Sequence, residues 1–174
     1  MSNSVNNSVS WGSQPISPAI IEKVAFLLGR EPRGLEAIEV VDDQGAPSVI
    51  RVASLVDDKP FPTMYWLVDK QLNYRIDRLE ASGLISRMQH IIDADDALKG
   101  AMVNDHRDFI CQRDIHMSES VKQRLIDKGY YEPLQLRGIG GIANFSRIRC
   151  LHTYYASHLV NQNTIGNWLD KEYL

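Results

Sequence analysis

The segment from residue 137 to residue 158 holds the residue types of an anion-binding site. It opens with an arginine and three glycines, Arg137, Gly138, Gly140 and Gly141. Glycines allow the backbone to take positive φ and to approach a ligand closely. The pattern predicts that this loop meets the start of a helix near residue 144 or 146, where free N–H groups and the helix dipole favour an anion. We therefore expect a small phosphorylated or carboxylated ligand there.

Cationic side chains in the same segment support this prediction. No acidic residue occurs between Glu132 and Asp170, although Asp and Glu together make up 22 of the 174 residues. Arg147 and Arg149 fall in the first turn of the predicted helix, where cations are unfavourable unless an anion is present. On an ideal helix these two arginines diverge by roughly 160°, so only one can face a small anion. We expect Arg149 to be the main contact and Arg137 the second.

Two histidines and one further arginine complete the candidate site. His152 lies in the predicted buried stripe of the helix, where it would orient Arg149 or donate to the ligand. A hydrogen-bonded core histidine is the alternative interpretation. On the preceding long helix, His106 and Arg113 share one face at i and i+7 and would line the same cleft, unless that face is solvated surface.

Cys150 has the side chain that nucleophilic catalysis requires. Helix N-termini and neighbouring cations favour the reactive thiolate form of a cysteine. On the predicted helix, however, His152 points away from Cys150, so we expect no Cys–His catalytic pair. The sequence contains no GxxxxGK[ST], GxSxG, HExxH or CxxC motif. Catalytic residues, cofactors and whether the protein is an enzyme therefore stay undetermined.

The composition indicates a soluble, cytoplasmic protein. No apolar run approaches the roughly 20 residues that span a bilayer, and the first 15 residues lack the basic and apolar regions of a signal peptide. Two distant cysteines, Cys111 and Cys150, suit a reducing compartment. The net charge of −3 argues against a nucleic-acid partner, because the protein as a whole would not attract a polyanion.

The elements that must position these residues are three strands followed by helices. Ser17 and Pro18 have the types of an N-cap and a first helical residue, and this helix should end at Gly29. Strands are predicted at residues 36–41, 48–55 and 64–68, and helices at 69–83, 93–116, 118–128, 144–160 and around Trp168. The third strand is apolar on both faces, so both should be covered. We predict an α+β fold: a small antiparallel β-meander of about three strands packed against a mainly helical C-terminal two-thirds.

The N-terminal residues form no recognisable core pattern. We interpret residues 1–17, which are rich in Ser and Asn, as a mobile tail, and residues 18–174 as a single globular domain. Deleting the residues before Ser17 should leave the melting temperature nearly unchanged. A fall of many degrees in a thermal melt would show instead that Trp11 docks on the domain.

Four separated motifs resemble a known family. They are, in order, LLGREPRG at 27–34, KPFPTMYWL at 59–67, RLEASGLI at 78–85 and RIRCLH at 147–152. Together they resemble the DUF501 family, bacterial proteins of unknown function, over about residues 24–168. The resemblance implies no activity.

The resemblance also bears on metal binding. Many relatives carry a Cys-Pro-Cys-Gly stretch in the first turn and a Cys after the third strand, and these thiols, with a Cys and a His of the last motif, would form a metal site. Here the corresponding positions include Asp42, Gln44 and Asp69, while Cys150 and His152 remain. We therefore predict no tightly bound zinc, and leave open an Asp/His site for a harder metal.

Two other functions remain as alternatives. A non-catalytic interaction module would dock an acidic partner on an Arg/Tyr-rich surface. Such docking requires a flat aromatic patch, whereas a ligand site requires a concave pocket. The stretch from Arg78 to Arg87 looks like a winged-helix recognition helix, which requires a β-wing after it. The sequence leaves open the oligomeric state and whether the Phe61–Pro62 bond is cis.

Overall fold

A computed structural model describes residues 15–174. The predicted tail, including Trp11, lies almost entirely outside this range. The described strands and helices are, in chain order, α1 (Pro18–Leu28), β1 (Leu35–Val41), β2 (Pro47–Val52), β3 (Leu55–Val56), β4 (Lys59–Pro60), β5 (Tyr65–Leu67), α2 (Lys70–Ala81), α3 (Leu84–Asp93), α4 (Asp96–His116), α5 (Glu119–Asp127), α6 (Tyr131–Gln135), α7 (Leu151–Val160) and α8 (Thr164–Glu172). After α1, all strands precede the remaining helices, so the fold is α+β, as predicted.

The sheet is the predicted antiparallel meander. Its strand order is β1-β2-β5, and β3 and β4 form a separate two-stranded hairpin between β2 and β5. Val49 pairs with Leu67 and Ile50 with Trp66, so Val49 and Ile50 point to opposite faces. Ile50 packs in a cluster with Val24 of α1, whereas Val49 packs in the cluster formed by the C-terminal helices. Both faces are therefore covered, as predicted.

Local capping signals mark several helix boundaries where the sequence predicts them. The Ser17 hydroxyl accepts the N–H of Ile20 at the start of α1, and Gly29 ends that helix with φ 69°. The Asp69 carboxylate accepts the N–H groups at the start of α2. The helix predicted from residue 93 begins at Asp96 instead, because the Asp95 carboxylate caps it.

The helix predicted to begin at residue 144 or 146 begins at Leu151, so that boundary is wrong. The Asn144 side chain accepts the N–H of Ser146 at 3.1 Å, which closes a turn and not a helix. Cys150 is extended, with φ −153° and ψ 121°. Arg147 and Arg149 therefore precede the helix, and the predicted placement of two cations in its first turn does not occur.

The described range excludes two other interpretations of the sequence. Every strand between residues 15 and 174 precedes α2, so no β-wing follows the segment that looks like a recognition helix. No peptide bond in that range is cis, so the Phe61–Pro62 bond is trans. Among these residues there is also no helix with the length and apolar character needed to cross a membrane.

Candidate functional site

A groove of about 830 Å³ lies between α3 and the segment 137–149. Three arginines line it, and the charged and titratable groups on its wall are Arg137, Arg147, Arg149, His90 and Asp93. The groove wall therefore carries three guanidinium groups and one carboxylate. Such an excess of positive charge in a concave surface concentrates anions.

Gln89 of α3 fixes the segment that carries two of these arginines. Its Nε2 donates to the carbonyl of Ser146 at 2.9 Å, and its Oε1 accepts the N–H of Ile148 at 3.0 Å. Ile148 is buried, whereas Arg147 and Arg149 on either side of it are exposed. The divergence predicted for Arg147 and Arg149 on an ideal helix does not apply, because both precede α7, and both line one groove.

The three arginines differ in their partners. Arg147 Nη1 lies 3.6 Å from Asp93 Oδ2, with both side chains more than half exposed, so this pair contributes little to stability. The side chains of Arg137 and Arg149 make no hydrogen bond or ion pair with any residue between 15 and 174. Their guanidinium groups are thus available to a ligand.

The glycines of the adjacent loop are needed for packing within the protein. A Cβ on Gly138 would collide with the ring of His106, and one on Gly140 or Gly141 would meet Thr153 Oγ1 at 2.7 Å or Pro62 Cγ at 2.9 Å, respectively. Gly140 and Gly141 also have positive φ, 68° and 74°. The close approach that the sequence indicates is therefore an approach to other parts of the protein.

The backbone N–H groups of the same loop are mostly occupied. The N–H of Gly138 donates to the carbonyl of Ile142 and that of Gly141 to the carbonyl of Gly138, at 2.8 and 2.9 Å. The N–H of Ile139 donates to His106 Nδ1 at 2.9 Å. This leaves the loop few donors for a ligand, so its main contribution to the groove is to position Arg137.

His106 is buried and does not line the groove, contrary to the prediction. Because its Nδ1 accepts the N–H of Ile139, Nε2 carries the proton and donates to the Tyr154 hydroxyl at 2.8 Å. That hydroxyl donates to the carbonyl of Arg147 at 3.0 Å. Burial lowers the pKa of His106 to about 4, so the ring is neutral at neutral pH. His106 therefore supports two backbone positions near the groove without facing it.

Arg113 is likewise buried away from the groove, contrary to the prediction. Its Nη1 donates to the carbonyl of Pro62 at 3.0 Å and its Nη2 to that of Leu134 at 2.6 Å. Its Nε has no partner among the described residues. Burial lowers its pKa to about 10, which still leaves it protonated at neutral pH. Arg113 thus joins the loop before β5 to α6.

His152 lies in a second cluster outside the groove, with Cys150, Glu80 and Asp77. Its Nδ1 is 3.6 Å from Cys150 Sγ and 3.3 Å from Glu80 Oε1, and its Nε2 is 3.2 Å from Asp77 Oδ1. The hydrogen bond with Cys150, followed by the charges of Cys150, Glu80 and Asp77, raises the pKa of His152 to about 9 against the opposing effect of burial. The predicted separation of Cys150 from His152 is wrong because Cys150 is an extended N-cap residue.

Both sites also contain residues of α2 and α3 that the sequence does not indicate. On α3, Leu84, Met88 and Ile92 are buried, and this spacing leaves residues 86, 89, 90 and 93 on the polar side. That pattern predicts a polar face but does not indicate which segment packs against it. Glu80 and Asp77 similarly share one face of α2 at i and i+3 without any local indication of their partner.

Comparison with known proteins identifies the family. A family model described as "Protein of unknown function (DUF501)" matches residues 38–171 of the 174-residue chain. No curated protein matches the chain, and no solved structure matches it. The matched range includes the groove and the Cys150–His152 cluster. The chain therefore belongs to the DUF501 family, as its four motifs predict.

Proposed function

We propose that this protein binds a small phosphorylated or carboxylated ligand in the groove between α3 and residues 137–149. The observation that supports the proposal most directly is that Arg137 and Arg149 line the same groove and that their side chains lack partners among the described residues. Asp93 is the only acidic side chain on the groove wall within that range. The volume of about 830 Å³ falls in the range of roughly 300–1,000 Å³ typical of small-molecule sites.

Side chains would make most of the contacts with the ligand. A guanidinium group offers two parallel N–H donors that match the oxygens of a phosphate or carboxylate. We assign Arg149 as the main contact and Arg137 as the second. Arg147 would join them by exchanging its ion pair with Asp93 for the ligand, because that pair is exposed. His152 has no place in this scheme, and His90 is the histidine on the groove wall.

Calorimetry on Arg149→Ala tests this function. A thermal-shift screen against nucleotides, sugar phosphates and dicarboxylates would first identify a binder. Each charge-assisted hydrogen bond contributes roughly 1.5–3 kcal/mol, and about 1.4 kcal/mol is a factor of ten in affinity. We therefore expect Arg149→Ala to weaken binding tenfold or more, and Arg137→Ala to weaken it less.

Matched variants separate recognition from a general charge effect. Arg33→Ala removes the same charge from an exposed pair with Asp57, outside the groove, and should leave the affinity unchanged. Arg149→Lys keeps the charge but loses the forked geometry, so its affinity should fall between those of wild type and Arg149→Ala. The proposal fails if no anionic compound raises the melting temperature, or if Arg149→Ala binds like the wild type.

Docking of an acidic partner protein finds less support. Tyr154 and Tyr155 are only 1% and 6% exposed, so they do not provide the aromatic surface that this alternative requires.

The two cysteines, Cys111 and Cys150, are both free, and on this ground we place the protein in a reducing compartment, the cytoplasm.

A further inference from the structure

A thiol, an imidazole and a carboxylate meet where the last turn of α2 faces the first turn of α7. Cys150 Sγ lies 3.6 Å from His152 Nδ1, and His152 Nδ1 lies 3.3 Å from Glu80 Oε1. The donor atoms of the three side chains all lie within 4.8 Å of one another. Across residues 15–174, no other group of three or more His, Cys, Asp or Glu side chains comes this close.

The separations of His152 Nδ1 from Cys150 Sγ and from Glu80 Oε1 match those that a tetrahedral zinc ion imposes on its ligands, and Sγ lies within 4.8 Å of the Glu80 oxygen. With Zn–S of about 2.3 Å and Zn–N and Zn–O of about 2.0–2.1 Å, tetrahedral angles place S and N about 3.5 Å apart and N and O about 3.3 Å apart. We propose that Glu80, Cys150 and His152 bind a zinc ion through a carboxylate oxygen, Sγ and Nδ1. Three protein ligands leave a fourth position for water or another small ligand, as in catalytic zinc sites.

Neighbouring groups orient the three ligands. His152 Nε2 lies 3.2 Å from Asp77 Oδ1, and a carboxylate on the far nitrogen of a metal-binding histidine directs the near nitrogen to the metal. The N–H of Leu151 donates to Glu80 Oε1 at 2.6 Å and fixes that carboxylate at the start of α7. The Cys150 side chain makes no capping hydrogen bond to the helix, and its sulfur contacts His152 Nδ1, another of the proposed ligands.

The donor set favours zinc over harder ions. A thiolate and an imidazole suit Zn²⁺, whereas Mg²⁺ and Ca²⁺ prefer all-oxygen sites. The side chains of His152 and Glu80 are 21% and 26% exposed, so an ion can enter from solvent. The proposal is independent of the anion-binding groove, which His152 does not line.

This proposal departs from the prediction, made from the sequence, of no tightly bound zinc. That prediction rested on the absence of thiols at Asp42, Gln44 and Asp69. Asp69 is the N-cap of α2, about 16 Å along the helix axis from Glu80 in the last turn, so Asp69 belongs to no common site with His152. Glu80 supplies instead an oxygen ligand from the opposite end of α2.

Titration of the reduced, full-length protein with Co²⁺ and Zn²⁺ tests the site. We expect one Co²⁺ per chain, with a sulfur-to-cobalt charge-transfer band in the near ultraviolet that Zn²⁺ abolishes. Cys150→Ser should remove the band and weaken zinc binding at least about 100-fold, because losing even an outer-shell partner costs 10–100-fold. The matched control is Cys111→Ser, which removes the exposed cysteine of α4 and should keep the band.

Alkylation gives a second measure that does not depend on a substitution in the site. In Cys111→Ser protein, bound zinc should slow the reaction of iodoacetamide with Cys150 at least about tenfold, since the metal-bound thiolate is protected. Equal rates with and without zinc would overturn the proposal. So would a charge-transfer band that survives Cys150→Ser, or zinc affinity unchanged in both Glu80→Gln and His152→Asn.

Discussion

Replacing Gly138 with alanine should destabilise the protein by about 2–4 kcal/mol, because the added Cβ has no space. The added carbon would lie 2.8 Å from Cγ and 3.0 Å from Cβ of the His106 side chain, and closer still to its Nδ1. The ring cannot easily move away, since it is buried and hydrogen-bonded at both nitrogens. Urea unfolding measures the change, and the melting temperature should fall by roughly 2–4 °C for each kcal/mol.

Two further variants show whether the collision is the cause. Gly100→Ala, inside α4 with no atom within 4 Å of the added carbon, should stabilise the protein by about 0.5–1 kcal/mol. His106→Ala makes room for the new methyl group, so the double variant with Gly138→Ala should be more stable than the two single effects would sum to. A Gly138→Ala protein as stable as the wild type would show that the loop does not pack on His106.

Boundaries that depend on neighbouring residues could be predicted from the sequence. The caps at Ser17 and Asp69 and the terminator Gly29 act within one turn of their own helix. The local sequence therefore determines where these helices begin or end. The same holds for the strands. Their short connections predict the antiparallel meander, and the apolar residues on both faces of the third strand predict that both faces are covered.

The start of α7 could not be predicted because its cause lies far away along the chain. Residues 144–150 have a periodicity compatible with a helix, and Asn144 and Ser146 are plausible caps. Gln89, 57 residues before Ser146, bonds the backbone at Ser146 and Ile148 and stabilises an irregular segment. The prediction that Arg137 and Arg149 share a site stands as a proposal, but its physical basis has changed from a helix terminus to a groove.

The burial of His106 and Arg113 was the second feature that could not be predicted from the sequence. The spacing of His106, Phe109 and Arg113 places them correctly on one face of α4. Charged side chains are rarely buried, which favours an exposed or ligand-facing interpretation. The structure buries them because His106 is neutral with two hydrogen-bond partners and Arg113 reaches two carbonyl groups.

Arg113→Ala should have the largest effect on stability, a loss of about 3–5 kcal/mol. The side chain is fully buried, so truncation leaves a cavity and removes the hydrogen bonds to the carbonyls of Pro62 and Leu134. Leu134 lies three residues before Arg137, and loosening this segment should also weaken anion binding in the groove. Urea unfolding and calorimetry with an identified ligand measure the two effects separately.

A graded series separates the cavity from the lost hydrogen bonds. Arg113→Met fills most of the volume and removes a buried charge that has no carboxylate partner among the described residues, so it should cost less than Arg113→Ala. Arg107→Ala, on an exposed position of the same helix, should change stability by no more than about 0.5 kcal/mol. If Arg113→Ala and Arg107→Ala were equally stable, Arg113 would have to be a surface residue. Such a result would contradict its role in joining the loop before β5 to α6.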